Sequence, residues 1–260
     1  MGKSVHRREL KDLLGTLGGS QWVAGWDAEG VCPGAGLSPS ATAFLAAHLV
    51  KESKKDGWLV VAHGPKEQEE LAAEMEAWGA EPLVIPEAYR GDEKVKPDPD
   101  LQAEWIGSLG RCLEEPKPRL VVVTEQVLKE RQPIPADVKQ GLRRMSVGDL
   151  VDPIRWVEEL VEAGYQRVPT VGERGEVARR GGIVDVFSMH ADLPVRMEWG
   201  GDRIESIRNF DLHEQVGIGE VKTAKIFMGR PEEMRKEASL EDYLGGTWGR
   251  WLCLKEGTDP

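Results

Sequence analysis

The chain has 260 residues, 40% of them apolar and 30% charged, and its 34 Lys and Arg against 45 Asp and Glu give a net charge of −11. That is apolar material for one large core or two modest ones, on a surface negative enough to oppose wholesale binding of a polyphosphate. No apolar run approaches the ~18–20 residues that cross a bilayer, the N-terminal MGKSVHRRELKDLL lacks the apolar stretch of a signal peptide, and the three cysteines and five histidines have neither disulfide nor metal-site spacing; membrane, extracellular and metalloprotein classes drop out, and a cytoplasmic, reducing setting is expected.

Residues 3–17 read as a helix with Leu10, Leu13, Leu14 and Leu17 on one face, and Trp22 to Trp26 as a short strand. A Gly/Pro/Ser stretch from Gly34 to Ser40 precedes an Ala-rich helix over 41–52. The continuous apolar run Trp58 to Ala62 predicts a strand covered on both faces. Pro65 opens a helix with Leu71, Met75 and Trp78 along one face. Leu83 to Ile85 reads as a strand, a polar connection with Pro86, Pro97 and Pro99 leads to a helix near 101–113, and Leu120 to Val123 is a fourth apolar strand. Strands alternating with helices predict a mostly parallel sheet in an α/β domain.

The pattern changes near residue 148. Asp152 as N-cap and Pro153 at the first helical position start a helix over 154–163, with Ile154, Val157 and Val161 expected inward. Short strands follow at about 166–171, 182–187, 195–199 and 203–210, and Gly200-Gly201-Asp202 signals a hairpin turn. This reads as a small antiparallel α+β module over 148–215, inserted between an α/β part at 1–147 and a return segment at 216–260. In that return segment Val221 to Phe227 and Trp251 to Leu254 are expected to rejoin the α/β domain as strands, with a short helix at 239–244.

Gly36-Leu-Ser-Pro-Ser-Ala-Thr-Ala43 lies where a phosphate loop would lie, between a strand and a helix. A working loop needs a second Gly so that backbone N–H groups can cradle phosphate, a Lys to reach its outer oxygens and a hydroxyl for Mg²⁺. Ala41, Thr42 and Ala43 stand at those three positions, and Pro39 removes an N–H from the cradle. Leu252-Cys-Leu-Lys-Glu256 is similar to the strand that ends in Asp-Glu in ATPases, with Lys255 in place of the metal-binding Asp. Both chemical requirements of nucleotide hydrolysis fail, so no cofactor is expected.

The segment Ala163-Gly-Tyr-Gln-Arg-Val168 is followed by Gly175-Glu-Val-Ala-Arg-Arg-Gly-Gly-Ile-Val-Asp-Val-Phe187, Pro194-Val-Arg-Met-Glu-Trp199 and Gly201-Asp-Arg-Ile-Glu-Ser-Ile-Arg-Asn-Phe-Asp211. Together these closely resemble the module shared by the excision-repair subunit UvrB and the bacterial transcription-repair coupling factors (Mfd). The flanks resemble the pseudo-helicase half that surrounds this module in the coupling factors. The resemblance implies a P-loop-NTPase-like fold with a degenerate nucleotide site, and a non-enzymatic role in nucleotide excision repair. It also implies docking of the damage sensor UvrA by the small module, with RNA polymerase and DNA handled by parts of a longer protein. The family's motif arginines map onto Arg167 and Arg180, then Arg196, with Arg174 and Arg179 nearby and Phe187 as an apolar anchor if exposed. Arginine offers a planar fork of donors that suits carboxylates on a partner. The alternative is a nucleic-acid-binding module using the same arginines. Other residues in the segment have blander readings: Gly181 and Gly182 as turn or close-packing positions, Asp185 as satisfying local backbone or pairing with an arginine, and Trp156 and Trp199 as packing.

Overall fold

The computed structural model describes residues 31–33, 38–88, 98–191, 193–212, 214 and 216–252. The helix expected at 3–17 and the strand at 22–26 lie outside the described residues, as do Gly36, Cys253 and Lys255. In chain order the elements are β1 (Val31–Pro33), α1 (Pro39–Glu52), β2 (Gly57–Ala62), α2 (Pro65–Ala77), β3 (Leu83–Val84), α3 (Pro99–Cys112) and β4 (Leu120–Thr124). Then come α4 (Glu125–Lys129), α5 (Pro135–Gly141), β5 (Leu142–Ser146), α6 (Pro153–Glu162), β6 (Gln166–Arg167), β7 (Glu176–Arg180) and β8 (Ile183–Phe187). The chain closes with β9 (Val195–Gly200), β10 (Arg203–Phe210), β11 (Gly217–Glu220), β12 (Thr223–Phe227), α7 (Glu241–Leu244) and β13 (Trp248–Leu252). They form two compact units, one from residues up to 87, 111–131 and from 239 onward, the other from 88–110 and 132–238.

The first unit is built on a five-stranded sheet in the order β1-β13-β2-β4-β3, and every pairing in it is parallel. β2 and β4 are buried along their whole length, as their unbroken apolar runs require. Helices α1 and α2 contribute Ala43, Ala46, Leu49, Leu71 and Met75 to one cluster with Trp58, Val60 and Val122 of the strands. α1 begins at Pro39, two residues before the Ala-rich run, because Ser38 serves as N-cap and proline is suited to the first helical position. The buried Gln68 side chain is satisfied by the carbonyls of Ile85 and Val122, both at 2.9 Å. Cys112 is buried, and desolvation pushes its thiol up to about 12, so it behaves as a small hydrophobe.

The second unit holds a six-stranded sheet in the order β11-β10-β9-β8-β7-β6. Its pairings are antiparallel except β6 with β7. α6 lies against one face, where Trp156, Val157 and Leu160 pack with Val177, Val184, Val186, Met197, Trp199, Ile204 and Ile207. The inward face expected for α6 is therefore corrected: Ile154 and Val161 are exposed. Both stripes have helical spacing and share Val157, and the one carrying Trp156 and Leu160 buries more apolar area.

Strand 223–227 does not rejoin the parallel sheet. It pairs antiparallel with β5, from Thr223 against Ser146 to Phe227 against Leu142. Met145, Ala224 and Ile226 join the cluster beneath α6. The inserted unit therefore extends beyond 148–215 on both sides. Tyr165 ties the two parts of it together: its hydroxyl donates to the Phe227 carbonyl at 2.8 Å and lies 3.1 Å from Ser188 Oγ. Burial pushes that phenol up to about 12.

Candidate functional site

Strand alternation assigns each arginine to a face of the six-stranded sheet. Ala178 is in register with Asp185, and Arg180 with Ile183, on the face opposite α6. Arg167 is in register with Val177, which packs beneath α6, so it belongs to the other face of the same β6–β7 edge. Both Arg167 and Arg180 are exposed. Arg180 is also oriented: its Nε and Nη2 donate to the Pro169 carbonyl at 3.3 and 3.1 Å, and Nη2 donates to Thr170 Oγ1 at 2.7 Å. Glu176 stiffens the same loop by accepting the Gly172 and Glu173 amides at 2.7 and 2.9 Å. The guanidinium is thus held by neutral acceptors, which keep its full charge outward.

The other sequence-predicted residues have different duties. Arg196 forms a two-point bond with Asp185, Nε to Oδ1 at 2.7 Å and Nη2 to Oδ2 at 2.8 Å, and its guanidinium lies 4.8 Å from the centre of the Phe210 ring. The Asp185 side-chain bond is the main cause that raises the affinity of Arg196 for its proton. Arg174 donates to the Ala191 carbonyl, pairs with Asp100 and covers the Phe187 ring at 5.5 Å. Arg179 is half-buried, with Nε lacking a hydrogen-bond partner.

Phe187 is the correction among the candidates. It is only 6% exposed and packs with Val171, Ala178 and Phe210 in a small second cluster on the open face. The apolar side chain that does reach water there is Ile183, 36% exposed beside Arg180. The sequence carries the signal for this. Val184 and Val186 must face the core beneath α6, which sends Ile183, Asp185 and Phe187 to the other side. Gly182 is a close-packing position, since a Cβ there would lie 2.9 Å from the Trp199 carbonyl oxygen. Gly181 turns the hairpin with φ of +61°. Asp185, Trp156 and Trp199 have the bland roles expected of them.

In the first unit, Ala41, Thr42 and Ala43 lie in the opening turns of α1. Thr42 and Ala43 are buried, and Ala43 is part of the helix-covered core. The Ala41 amide donates to Ser38 Oγ at 3.3 Å and the Thr42 amide to the Ser38 carbonyl at 2.9 Å. At the C-terminal ends of β2 and β4, Glu67 accepts the His63 amide at 2.7 Å, Glu87 accepts from Thr124 Oγ1 at 2.7 Å, and His63 Nδ1 lies 3.7 Å from Glu125. A hydrogen bond from Lys129 is the main cause holding the Glu125 carboxyl below its usual range. Among the described residues no group of three or more His, Cys, Asp or Glu could hold a metal ion, and no helix is long and apolar enough to cross a membrane.

Residues 144–230 match the family model described as the UvrB interaction domain, a span that runs from within β5 to just beyond β12. Similar proteins include the transcription-repair-coupling factor of Bacillus subtilis, 28% identical over 82% of this chain and 18% of that protein. That of Mycobacterium bovis is 31% identical over 71% of this chain and 15% of its own length. That of Myxococcus xanthus is 34% identical over 53% of this chain and 12% of its own length. The chain thus spans less than a fifth of the relatives it matches. An interaction domain of the UvrB type, set in a sequence similar over most of its length to transcription-repair-coupling factors, is what this chain carries.

Proposed function

We propose that this chain docks the damage sensor UvrA through the β6–β8 edge of the six-stranded sheet, and so links another machine to nucleotide excision repair. Arg180 and Arg167 supply the charge-assisted contacts, and Ile183 supplies the apolar one. The observation that carries the reading is the state of Arg180 within the matched interaction domain: exposed, pre-oriented by Pro169 and Thr170, and adjacent to the exposed Ile183. Arginine beside an apolar anchor is a common composition of an interface hot spot, and pre-orientation lowers the entropy lost on binding. Arg196 and Arg174 support this edge from within, since their guanidiniums are committed to Asp185 and to Asp100 and Ala191.

The first unit is then a scaffold without nucleotide hydrolysis. Three features support that reading. The lysine position of a phosphate loop is taken by the buried Thr42. The Ala41 amide, which a phosphate would otherwise attract, is capped by Ser38. The C-terminal edge of the parallel strands, where ligands of open α/β sheets bind, carries Glu67, Glu87 and Glu125.

Surface plasmon resonance against immobilised UvrA tests the docking. Arg180→Ala is expected to weaken binding by about 2 kcal/mol, and Ile183→Asp by a similar amount, with melting temperatures within a few degrees of the parent. Parental affinity in an Arg167→Ala/Arg180→Ala double variant would refute the assignment.

A further inference from the structure

The first unit has a concave surface at the end of its sheet opposite the start of α1. It is a cleft of about 770 Å³ where β3 and β4 begin and α1 and α2 end. Such a volume lies within the range of ligand-binding pockets. Its charged lining is Lys51, Arg111, Lys117 and Arg119 against the single carboxylate of Glu81, and Trp78 forms part of the apolar wall. In a chain of net charge −11 this is a local reversal of sign.

The four cations are not spent on carboxylates. Arg119 Nη2 donates to the Ser53 and Lys55 carbonyls at 3.1 and 3.2 Å, Arg111 Nη1 to the Pro116 carbonyl at 2.8 Å, and Lys117 Nζ to the Leu244 carbonyl at 3.0 Å. Neutral acceptors fix Arg119, Arg111 and Lys117 in place, and leave their charge to the cleft rather than to a paired carboxylate. Asp56 also feels Arg119 and Lys117, but the main causes that hold its carboxyl below the usual range are the Thr247 amide and hydroxyl, at 2.7 and 2.9 Å. Lys51 is exposed at the end of α1.

We propose that this cleft binds an acidic peptide segment bearing apolar side chains, by contacts separate from those proposed for UvrA. Carboxylates spaced along a peptide match cations spread around a rim. Apolar side chains between them match Trp78 and the three prolines of the lining, Pro82, Pro116 and Pro118. Helix C-termini present carbonyl groups and the negative end of the helix dipole. A dense phosphate is disfavoured beside them, whereas a peptide brings N–H donors as well as carboxylates. A long polyanion such as nucleic acid is further disfavoured, because beyond the cleft it meets the field of a net-negative molecule.

Fluorescence anisotropy on the full chain tests this, with a labelled decapeptide of alternating glutamate and leucine as probe. The expected result is saturable binding that weakens at least tenfold in Lys51→Glu, with UvrA affinity and melting temperature unchanged, and at least tenfold in Lys117→Glu, with UvrA affinity unchanged. A decapeptide of alternating lysine and leucine should not bind. Parental affinity in both variants, equal binding of the lysine peptide, or preference for a ten-nucleotide oligothymidylate would each overturn the proposal. Because UvrA binding is read separately, failure here is distinguishable from failure of the docking assignment.

Discussion

Asp185 is the one buried carboxylate among the described residues, 3% exposed in the middle of β8. An isolated charge at such a place is expensive, and only the two-point bond from Arg196 makes it tolerable. This separates two arginines that look alike in the sequence. Removing Arg196 strands a carboxylate inside the sheet, and Arg196→Ala is expected to lower unfolding free energy by roughly 3–5 kcal/mol. Removing Arg180 forfeits only exposed bonds to a loop, and Arg180→Ala is expected to stay within ~1 kcal/mol. Urea denaturation of the two variants checks the contrast; equal losses would contradict the division into a supporting and a displayed arginine. From the sequence Asp185 could satisfy local backbone or take an arginine, and neither the choice nor the arginine was legible. The choice follows from the β8–β9 register, which brings Arg196 opposite it.

At the scale of elements, the β9–β10 hairpin is held by charge as well as by its ladder. Glu198 accepts from Ser206 Oγ at 2.9 Å and pairs with Arg208. The Ser206 bond, then Arg208, holds its carboxyl below the ordinary glutamate value of 4.5. A carboxylate whose folded pKa is depressed stabilises the fold above its unfolded pKa, and that contribution is lost as pH falls through the folded value. Thermal melts from pH 7 down to pH 3 are therefore expected to show a steeper acid loss in the parent than in Glu198→Gln; parallel curves would show that the carboxylate contributes nothing. The hairpin turn itself was legible, because Gly201 takes φ of +66° where two glycines precede an aspartate. The register shift between Ile204 and Ser206 was not, because it inserts one residue without any turn signal. The phase of α6 was ambiguous for a related reason. Periodicity gives the period of a helix, and choosing between the Ile154/Val161 and Trp156/Leu160 stripes needed the weight of a buried tryptophan.

For the whole molecule, the parallel sheet, its alternating helices and the presence of an inserted module could be read from the chain, since unbroken apolar strands and a change of strand style are local signals. The limits of the insertion could not, because they depend on the long-range pairing of β5 with β12. A fragment of residues 149–215 lacks Met145, Ala224 and Ile226 from the main cluster of its unit, as well as the Phe227 carbonyl that receives Tyr165. That fragment is expected to show no cooperative melt by circular dichroism, whereas residues 132–238, which restore the ribbon, should melt in a single transition; a cooperative 149–215 fragment would mean that the β5–β12 ribbon is dispensable. The same ribbon sets how freely the unit can be inherited. Leu142 and Phe227 are paired partners, so the incoming and outgoing chain stand one ladder rung apart, ~5 Å. A segment whose two ends lie that close can be spliced into a surface turn of an unrelated host without stretching either.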